Sequence, residues 1–287
     1  MPRISAIAYR VDRLAGWAEQ ETKLGKLLDG CDLALLPEYA GLEAAIMSAP
    51  ASGTPTDWRD RAVERADDWS AQLAHLARKH RCWIAGATIP AKADHGIVNR
   101  GFLVAPWGEV HHQDKLMLTP YERDVLGMVP GNGLTVVDTV LGRFGMLICY
   151  DSEFPILARG LAEAEVDMIL VPSCTDAPAG QTRVRQSARA RAIENQCLVV
   201  QAPLVGEVPF CDIIDASTGQ SGFFVPPDHG LPSDGILRDG MADRPGAVTC
   251  DVDFAAISGS RHSGQVDNFA RWPAQFAGNT TVRILEL

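Results

Sequence analysis

The chain has 287 residues, of which 46% are hydrophobic, so it can build a substantial core and is not disordered as a whole. Its formal net charge of -10 argues against binding to nucleic acid or to an anionic membrane, because both favour a basic surface. The seven cysteines form no CxxC pair and have no regular spacing, which argues against a disulfide framework or a zinc site.

The first half of the chain predicts strands that alternate with helices. Strands ISAIAYRV and CDLALLP flank a helix that Gly30 can close, and a longer helix capped at Thr56 precedes the strand CWIAGATIP. Two hairpins follow, with turns at Trp107–Gly108 and at Leu141–Gly142. Charged residues interrupt the first apolar run and no later run reaches about 18 apolar residues, so we expect a cytoplasmic protein without a membrane span.

The second half repeats this alternation, which favours an α/β layered fold. Helix FPILARGLAEAE, strand DMILVPS, helix TRVRQSARARAIEN and strand CLVVQAPLV follow one another, and CDIIDA and AVTCDVDF are predicted as further strands. The segment 221–235 is rich in proline and glycine and is predicted to be a long loop. We find no internal repeat or low-complexity linker, so a single domain is the simplest prediction.

Three predicted strands each end close to an ionisable side chain. LALLP is followed by Glu38, EVHHQD by Lys115, and FGMLI by Cys149. In α/β folds, functional sites gather at strand ends and in the loops beyond them. Taken singly, these residues are explained as a loop carboxylate, a surface charge and a buried thiol, and Cys174 also follows a strand.

Read together, LLPEY, HHQDKLMLTPYE and LICYDSEFP resemble the nitrilase superfamily of carbon–nitrogen hydrolases. The segments DMILVPS, ARAIENQ and TCDVDF extend the resemblance over nearly the whole chain. It implies a four-layer α-β-β-α sandwich, one domain over residues 1–287, and a homodimer or higher homo-oligomer that pairs through helices. It implies no cofactor and no metal, and the PGNG segment lacks both phosphate-binding glycine patterns.

The resemblance also implies roles for five residues. Cys149 would attack an amide carbonyl, Glu38 would act as base and then as acid, and Lys115 with the N–H of Tyr150 would stabilise the oxyanion. Glu122 resembles a second glutamate that contacts the lysine and orients the substrate, although a surface carboxylate beside Arg123 is the alternative.

Tyr150 and Asp151 after the cysteine favour a small amide as substrate, by their likeness to amidases and carbamoyl hydrolases of the superfamily. An N-carbamoyl compound or a nitrile is the alternative, and Glu153 and Ile156, which depart from many relatives, leave the substrate open. A non-catalytic binding protein on the same fold is the alternative from another class.

Two further groups of residues are candidates for the site. A histidine base would come from His111 or His112, the histidines nearest to Lys115 in the sequence, but sequence proximity does not place either beside Cys149. A cluster of arginines could recognise a substrate carboxylate, although arginines at such helical spacing more often form ion pairs. We expect a structural role for Arg191 and leave Arg183, Arg185 and Arg189 open.

Overall fold

Two six-stranded sheets form the centre of the structure, a computed structural model in which residues 1–47, 52–277 and 282–285 are described. The strands are β1 (Arg3–Ala8), β2 (Leu33–Leu36), β3 (Trp83–Ala93), β4 (Gly96–Val104), β5 (Val110–Asp114), β6 (Val136–Thr139), β7 (Gly142–Met146), β8 (Met168–Ser173), β9 (Leu198–Pro203), β10 (Gly206–Glu207), β11 (Ala216–Ser217), β12 (Gly222–Phe224), β13 (Ile236–Asp239) and β14 (Gly246–Asp251). The first sheet has the order β14-β1-β2-β3-β4-β5, the second has the order β13-β12-β9-β8-β7-β6, and β10 pairs with β11.

The helices lie outside these sheets. They are α1 (Trp17–Leu28), α2 (Leu42–Ile46), α3 (Pro55–His80), α4 (Pro155–Glu163), α5 (Pro178–Asn195), α6 (Phe254–Ser263) and α7 (Asn268–Arg271). A π-helical turn at Tyr121–Val125 and 3-10 turns at Cys149–Glu153 and Trp272–Phe276 complete the regular elements of the described residues. No helix in these ranges is long and apolar enough to cross a membrane.

The central strand β2 shows how the layers are stacked. It pairs in parallel with β1 and β3, and all four of its residues are buried, as expected for a strand covered on both faces. Leu35 belongs to a core shared with Met146 of the second sheet, whereas Leu36 belongs to a core shared with Leu24 of α1 and Leu73 of α3. With α4 and α5 packed against the second sheet, the predicted α-β-β-α sandwich is confirmed.

Most predicted elements are present, including both hairpins. Val104 pairs with Val110 across the turn that contains Trp107 and Gly108, and Thr139 pairs with Gly142 across the second turn. Gly30 has a φ of +71° just beyond α1, which is the left-handed conformation expected where a helix ends. The spacing of apolar residues and the turn residues therefore located the first helix and the two hairpins.

The predicted start of the long helix was wrong by two residues. Thr54, not Thr56, caps α3: its hydroxyl accepts the Asp57 N–H at 3.2 Å, and the Asp57 carboxylate accepts the Thr54 N–H at 2.8 Å. Pro55 occupies the first helical position, where its missing N–H costs nothing. These two reciprocal hydrogen bonds form a capping box, which explains why the helix begins after Thr54 and not after Thr56.

Two predictions in the second half were wrong. Residues 211–215 form turns, and only Ala216 of the CDIIDA segment lies in a strand. Within the predicted loop 221–235, Gly222–Phe224 is the short strand β12, which pairs with both β9 and β13. Three residues are too few to show an alternating pattern, so the strand is specified by its buried neighbours rather than by its own sequence.

Gly86 lies where β3 passes the end of β2, and we expect Gly86→Ala to destabilise the fold strongly. Its φ is +82°, and a Cβ at this position would lie 1.9 Å from the carbonyl oxygen of Leu36. Because a backbone oxygen cannot move aside cheaply, we expect at least about 3 kcal/mol lower free energy of unfolding, from left-handed strain plus overpacking.

Gly30→Ala is the matched control for this prediction. Gly30 also has a positive φ, +71°, but no atom lies within 4 Å of the position that an added methyl group would take, so only the backbone strain of about 1–2 kcal/mol should be seen. Denaturant unfolding followed by circular dichroism compares the two variants. Equal losses in both would show that the contact with Leu36 does not constrain the sheet.

Candidate active site

Glu38, Lys115 and Cys149 lie just beyond the ends of three strands, and the fold brings them together. Glu38 follows β2, Lys115 follows β5 of the same sheet, and Cys149 follows β7 of the facing sheet. All three line one cavity of about 250 Å³. The site therefore forms where the ends of strands from both sheets meet. Its residues come from separate segments of the chain.

Lys115 is the centre of the charged cluster. Its side chain is 1% exposed, and its Nζ lies 2.8 Å from Glu38 Oε1 and 2.7 Å from Glu122 Oε2. Burial alone would lower the pKa of Lys115, but the carboxylates of Glu122 and Glu38 outweigh it and raise that pKa well above its usual value. Lys115 is therefore a permanent ammonium at neutral pH and cannot act as a base.

Glu38 is held by donors on both of its oxygens. Asn99 Nδ2 donates to Oε1 at 2.9 Å, alongside Lys115, and the Cys174 N–H donates to Oε2 at 3.0 Å. The Cys149 thiol lines the same cavity, and burial together with the charge of Glu38 raises the pKa of this thiol. The donors on both of its oxygens fix the Glu38 carboxylate in one orientation at this cavity, which suits it to proton transfer.

Glu122 is buried in the cavity wall and is not a surface carboxylate. The π-helical turn presents it to Lys115, and Tyr39 Oη donates to Oε1 at 2.8 Å. Asn99 Nδ2 donates to the same oxygen at 3.0 Å, and the Thr119 N–H donates to Oε2 at 2.9 Å. Glu122 thus accepts several hydrogen bonds that favour its ionised form.

The two glutamates that share Lys115 have opposite pKa shifts. Burial raises the pKa of Glu38, Lys115 opposes that shift, and the charge of Glu122 adds to it. For Glu122, burial is outweighed by Lys115 and by the hydrogen bonds from Thr119 and Asn99, so its pKa is lowered. Of the two carboxylates, Glu38 is the one suited to take up and release a proton, while Glu122 keeps its charge.

Cys149 begins a tight 3-10 turn in a conformation that non-glycine residues rarely adopt. Its φ is +49°, and Ser152 Oγ donates to its carbonyl oxygen at 2.6 Å. The turn leaves the first N–H groups, including that of Tyr150, without partners inside the turn. Burial and the Glu38 carboxylate raise the pKa of the Cys149 thiol well above its usual value, so the sulfur is protonated in the free site.

Asp151 ties the cysteine turn to the segment that follows Lys115. Its carboxylate accepts the N–H of Met117 at 2.6 Å, of Leu116 at 3.2 Å and of Ile148 at 3.0 Å. The side chain is buried, and this burial raises its pKa to about 7, against the opposing effects of Lys115 and the backbone donors. Asp151 is therefore a positioning residue that joins the two sides of the site.

We expect Asp151→Asn to lower turnover about tenfold or more while the chain still folds. An asparagine keeps one acceptor, but its amino group would face an N–H donor, which costs about 1–3 kcal/mol and shifts the two segments. Small displacements of reacting groups have large kinetic effects. Steady-state kinetics and thermal unfolding on the same samples measure both consequences.

Asp57→Asn is the control for this prediction, because Asp57 also binds a backbone N–H but lies in the cap of α3. It should lower the melting temperature slightly and leave turnover unchanged. Turnover of Asp151→Asn equal to that of the wild type would show that Asp151 does not position the site.

The histidines and most of the arginines are not part of the site. His111 lies near Glu109 on the surface, with 3.1 Å between their side chains, and His112 lines a different surface cleft. Arg191 Nε donates to the Ser152 carbonyl at 3.0 Å, which confirms a structural role. Arg185 pairs with Asp239 and Arg189 with the Asp234 carbonyl, whereas Arg183 lies at the cavity.

Three groups of the site were not predicted from the sequence: the side chains of Asn99 and Tyr39 and the backbone N–H of Cys174. Asn99 is fully buried within β4, and a polar amide beside the apolar residues of a strand was the signal that could have identified it. The Cys174 N–H carries no sequence signal, since any residue except proline could supply it. Cys174 also accepts a hydrogen bond from Cys149 Sγ through its carbonyl oxygen, at 3.5 Å.

Comparison with known proteins identifies the family. Residues 9–226 match the carbon–nitrogen hydrolase family. The chain is 31% identical to the probable hydrolase YhcX of Bacillus subtilis over 92% of this chain and 52% of that protein, so it spans about half of this relative. It is 30% identical to a deaminated glutathione amidase of Yersinia enterocolitica, over 66% of this chain and 68% of that protein.

The fold comparison agrees with the sequence comparison. XC1258 of Xanthomonas campestris, a CN-hydrolase superfamily protein, superposes with a TM-score of 0.71 over 98% of both chains, at 23% identity. At this identity the similarity concerns the fold alone. The match over residues 9–226 shows that the chain belongs to the carbon–nitrogen hydrolase family.

Proposed function

We propose that the protein hydrolyses the non-peptide C–N bond of a small amide through a thioester on Cys149. The observation that carries this proposal is the buried cluster in which Lys115 binds Glu38 and Glu122 at the wall of the cavity that Cys149 also lines. A nucleophile, a carboxylate of raised pKa and a fixed cation meet the requirements of acyl transfer. A relative that is named an amidase supports the amide as substrate.

In the first half of the reaction, Glu38 takes the proton of Cys149 as the sulfur attacks the carbonyl carbon. The carbonyl oxygen becomes an oxyanion, which Lys115 and the N–H of Tyr150 stabilise. Because Glu38 is now neutral, its attraction for Lys115 weakens, and one ammonium N–H is released towards the oxyanion. Glu38 then gives its proton to the departing nitrogen, the C–N bond breaks, and a thioester remains.

The second half of the reaction uses the Glu38 carboxylate again, first as base and then as acid. Glu38 takes a proton from water, the resulting hydroxide attacks the thioester carbonyl, and a second oxyanion forms at the same donors. Its collapse breaks the C–S bond, Glu38 returns the proton to the sulfur, and the acid leaves. Glu122 keeps its charge throughout, holds Lys115 in place and is suited to orient the substrate nitrogen.

Intact-mass spectrometry of protein quenched during turnover tests the proposal. We expect an acyl adduct when the wild type is incubated with a panel of small amides, with ammonia or an amine released. Cys149→Ala should carry no adduct. Cys174→Ala is the matched control, since Cys174 lines the same cavity but contributes only backbone atoms to Glu38, and it should still be acylated.

The alternative functions give different results in this experiment. N-carbamoyl compounds would give a carbamoyl adduct, and a nitrilase would convert nitriles to acids while leaving amides intact. A binding protein would form no adduct with any compound, and its Cys149 would react with iodoacetamide no faster than a surface thiol does. Any of these results would replace the amidase assignment.

We also propose that the protein works as a homo-oligomer in the cytoplasm. All seven cysteines, including five that are buried, are free thiols, as expected in a reducing compartment. Ile156 on α4 and Ile193 on α5 are 70% and 40% exposed on the helical layer of the second sheet, where a second copy could cover them. Sedimentation analysis of Ile156→Glu and Ile193→Glu tests the oligomer, which should dissociate.

A further inference from the structure

The outer part of the cavity is strongly acidic. Its outer rim, defined here as Glu153, Asp176, Arg183, Asp212 and Asp215, carries four carboxylates and one guanidinium. Arg183 lies 3.4 Å from Glu153, and its side chain is 62% exposed, so it offsets at most one of the four charges. In the described part of the chain, the carboxylates of Asp176 and Asp212 have no hydrogen-bond or ion-pair partner.

The inner part of the cavity supplies no further cation for a charged substrate. Lys115 is the only lysine among the described lining residues, and its ammonium already lies within 2.9 Å of carboxylate oxygens of both Glu38 and Glu122. Its remaining role is at the reacting carbonyl. The far end of a bound substrate therefore meets the outer rim and not the lysine.

The loop that carries two of the rim carboxylates is held in place. Residues 211–215 form hydrogen-bonded turns, anchored by the buried side chains of Cys211 and Ile214. Tyr121 Oη donates to the carbonyl oxygen of Asp212 at 3.3 Å, which ties this loop to the segment that carries Glu122. The carboxylates are thus part of a fixed wall and not of a free surface chain.

The N-terminus of helix α5 opposes the negative charge of the outer rim. Helix α5 begins at Pro178, and Gly180 and Arg183 of its first turns line the cavity. A helix N-terminus carries about +0.5 of an elementary charge, so together with Arg183 it could attract a carboxylate. Four carboxylates outweigh these contributions, and the aromatic rings of Tyr121 and Tyr150 in the lining also favour a cation.

We propose that this site selects small amides that carry a protonated amine at the end opposite to the scissile carbonyl, and that Asp212 and Asp215 determine this selectivity. The inference rests on the proposed amide hydrolysis and names its substrate class. The cavity of about 250 Å³ has room for a short aminoalkyl amide. An ammonium group at its far end would lie among the carboxylates, whereas a carboxylate there would be repelled.

Three short amides that differ chiefly in charge test this inference: 4-aminobutanamide, pentanamide and succinamate. The first two have the same number of non-hydrogen atoms. We expect kcat/KM for 4-aminobutanamide to exceed that for pentanamide at least about tenfold at low ionic strength and to decline as salt is added. Succinamate should be the poorest substrate.

The double variant Asp212→Asn, Asp215→Asn should bring the ratio of the first two substrates to within about threefold. The loop should keep its conformation, because the amide oxygen introduced by Asp215→Asn can still accept the Ala216 N–H that Asp215 Oδ1 now binds at 2.8 Å. The control pair Asp29→Asn, Glu64→Gln removes two exposed carboxylates that do not line the cavity. It should leave the ratio unchanged.

The three amides distinguish selection of an ammonium group from recognition of a carboxylate and from no selection by charge. Preference for succinamate would show that α5 and Arg183 recognise a carboxylate, and equal rates for all three amides would show that the rim charge does not select substrates. Either result overturns the inference but leaves amide hydrolysis intact. If none of the amides is hydrolysed and Cys149 carries no adduct, the proposed function itself fails.

Discussion

Glu38→Gln should lower kcat/KM for amides by roughly 10³- to 10⁴-fold without unfolding the protein, because the site loses the group that moves the proton in both half-reactions. A glutamine keeps one oxygen for the hydrogen bonds that Glu38 now accepts from Lys115 and Asn99 at its Oε1. The thiol of Cys149 would then face an amide that cannot accept its proton. Stopped-flow acylation and steady-state turnover should fall together.

The pH dependence of the wild type tests whether Glu38 transfers a proton or only supports the structure of the site. Burial and the charge of Glu122 raise the pKa of Glu38, so kcat/KM should fall as the pH drops through that raised value, because a protonated Glu38 cannot accept the thiol proton. Removing the charge in Glu122→Gln lowers the pKa of Glu38 and should move this acid limb to lower pH. An acid limb that persists in a nearly active Glu38→Gln variant would assign the proton transfer to another group.

The strand ends at Glu38 and Cys149 could be predicted because each follows an apolar run that favours a buried strand. The strand before Lys115 is polar and mostly exposed, and it was predicted from the hairpin turn at Trp107–Gly108. The strands β2, β5 and β7 end within three residues of these side chains. Their convergence could not be derived from composition or periodicity. It depends on which strands pair and how the two sheets face each other, and only the family resemblance supplied that information.

The features of the site that could not be predicted from the sequence are set by backbone geometry and by residues distant in the chain. The positive φ of Cys149 and of Tyr39, +49° and +60°, has no signature in residues that are neither glycine nor asparagine. The turn at 211–215 was mistaken for a strand because its isoleucines are apolar, yet Ile214 is buried as a loop anchor. The acidic outer rim combines residues from separate segments and is therefore invisible to any local pattern.

Lys115→Arg should be nearly inactive, with kcat/KM reduced at least about 10³-fold, although the positive charge is kept. The Lys115 side chain is 1% exposed, and its compact ammonium contacts oxygens of both Glu38 and Glu122 within 2.9 Å. A guanidinium is wide and planar, so it would push the carboxylates apart and could not point a single N–H at the oxyanion. Loss of such a donor alone costs roughly 10²- to 10³-fold, and displacement of Glu38 adds to that loss.

Lys26→Arg is the control for this substitution, since Lys26 is an exposed residue in the last turn of α1. It should leave both turnover and stability unchanged. Intact-mass measurements should show that Lys115→Arg accumulates no acyl adduct during the time in which the wild type becomes acylated, and circular dichroism should confirm that it is folded. If Lys115→Arg became acylated at the wild-type rate, the ammonium would not be an oxyanion donor, and the N–H of Tyr150 would have to stabilise the intermediate without it.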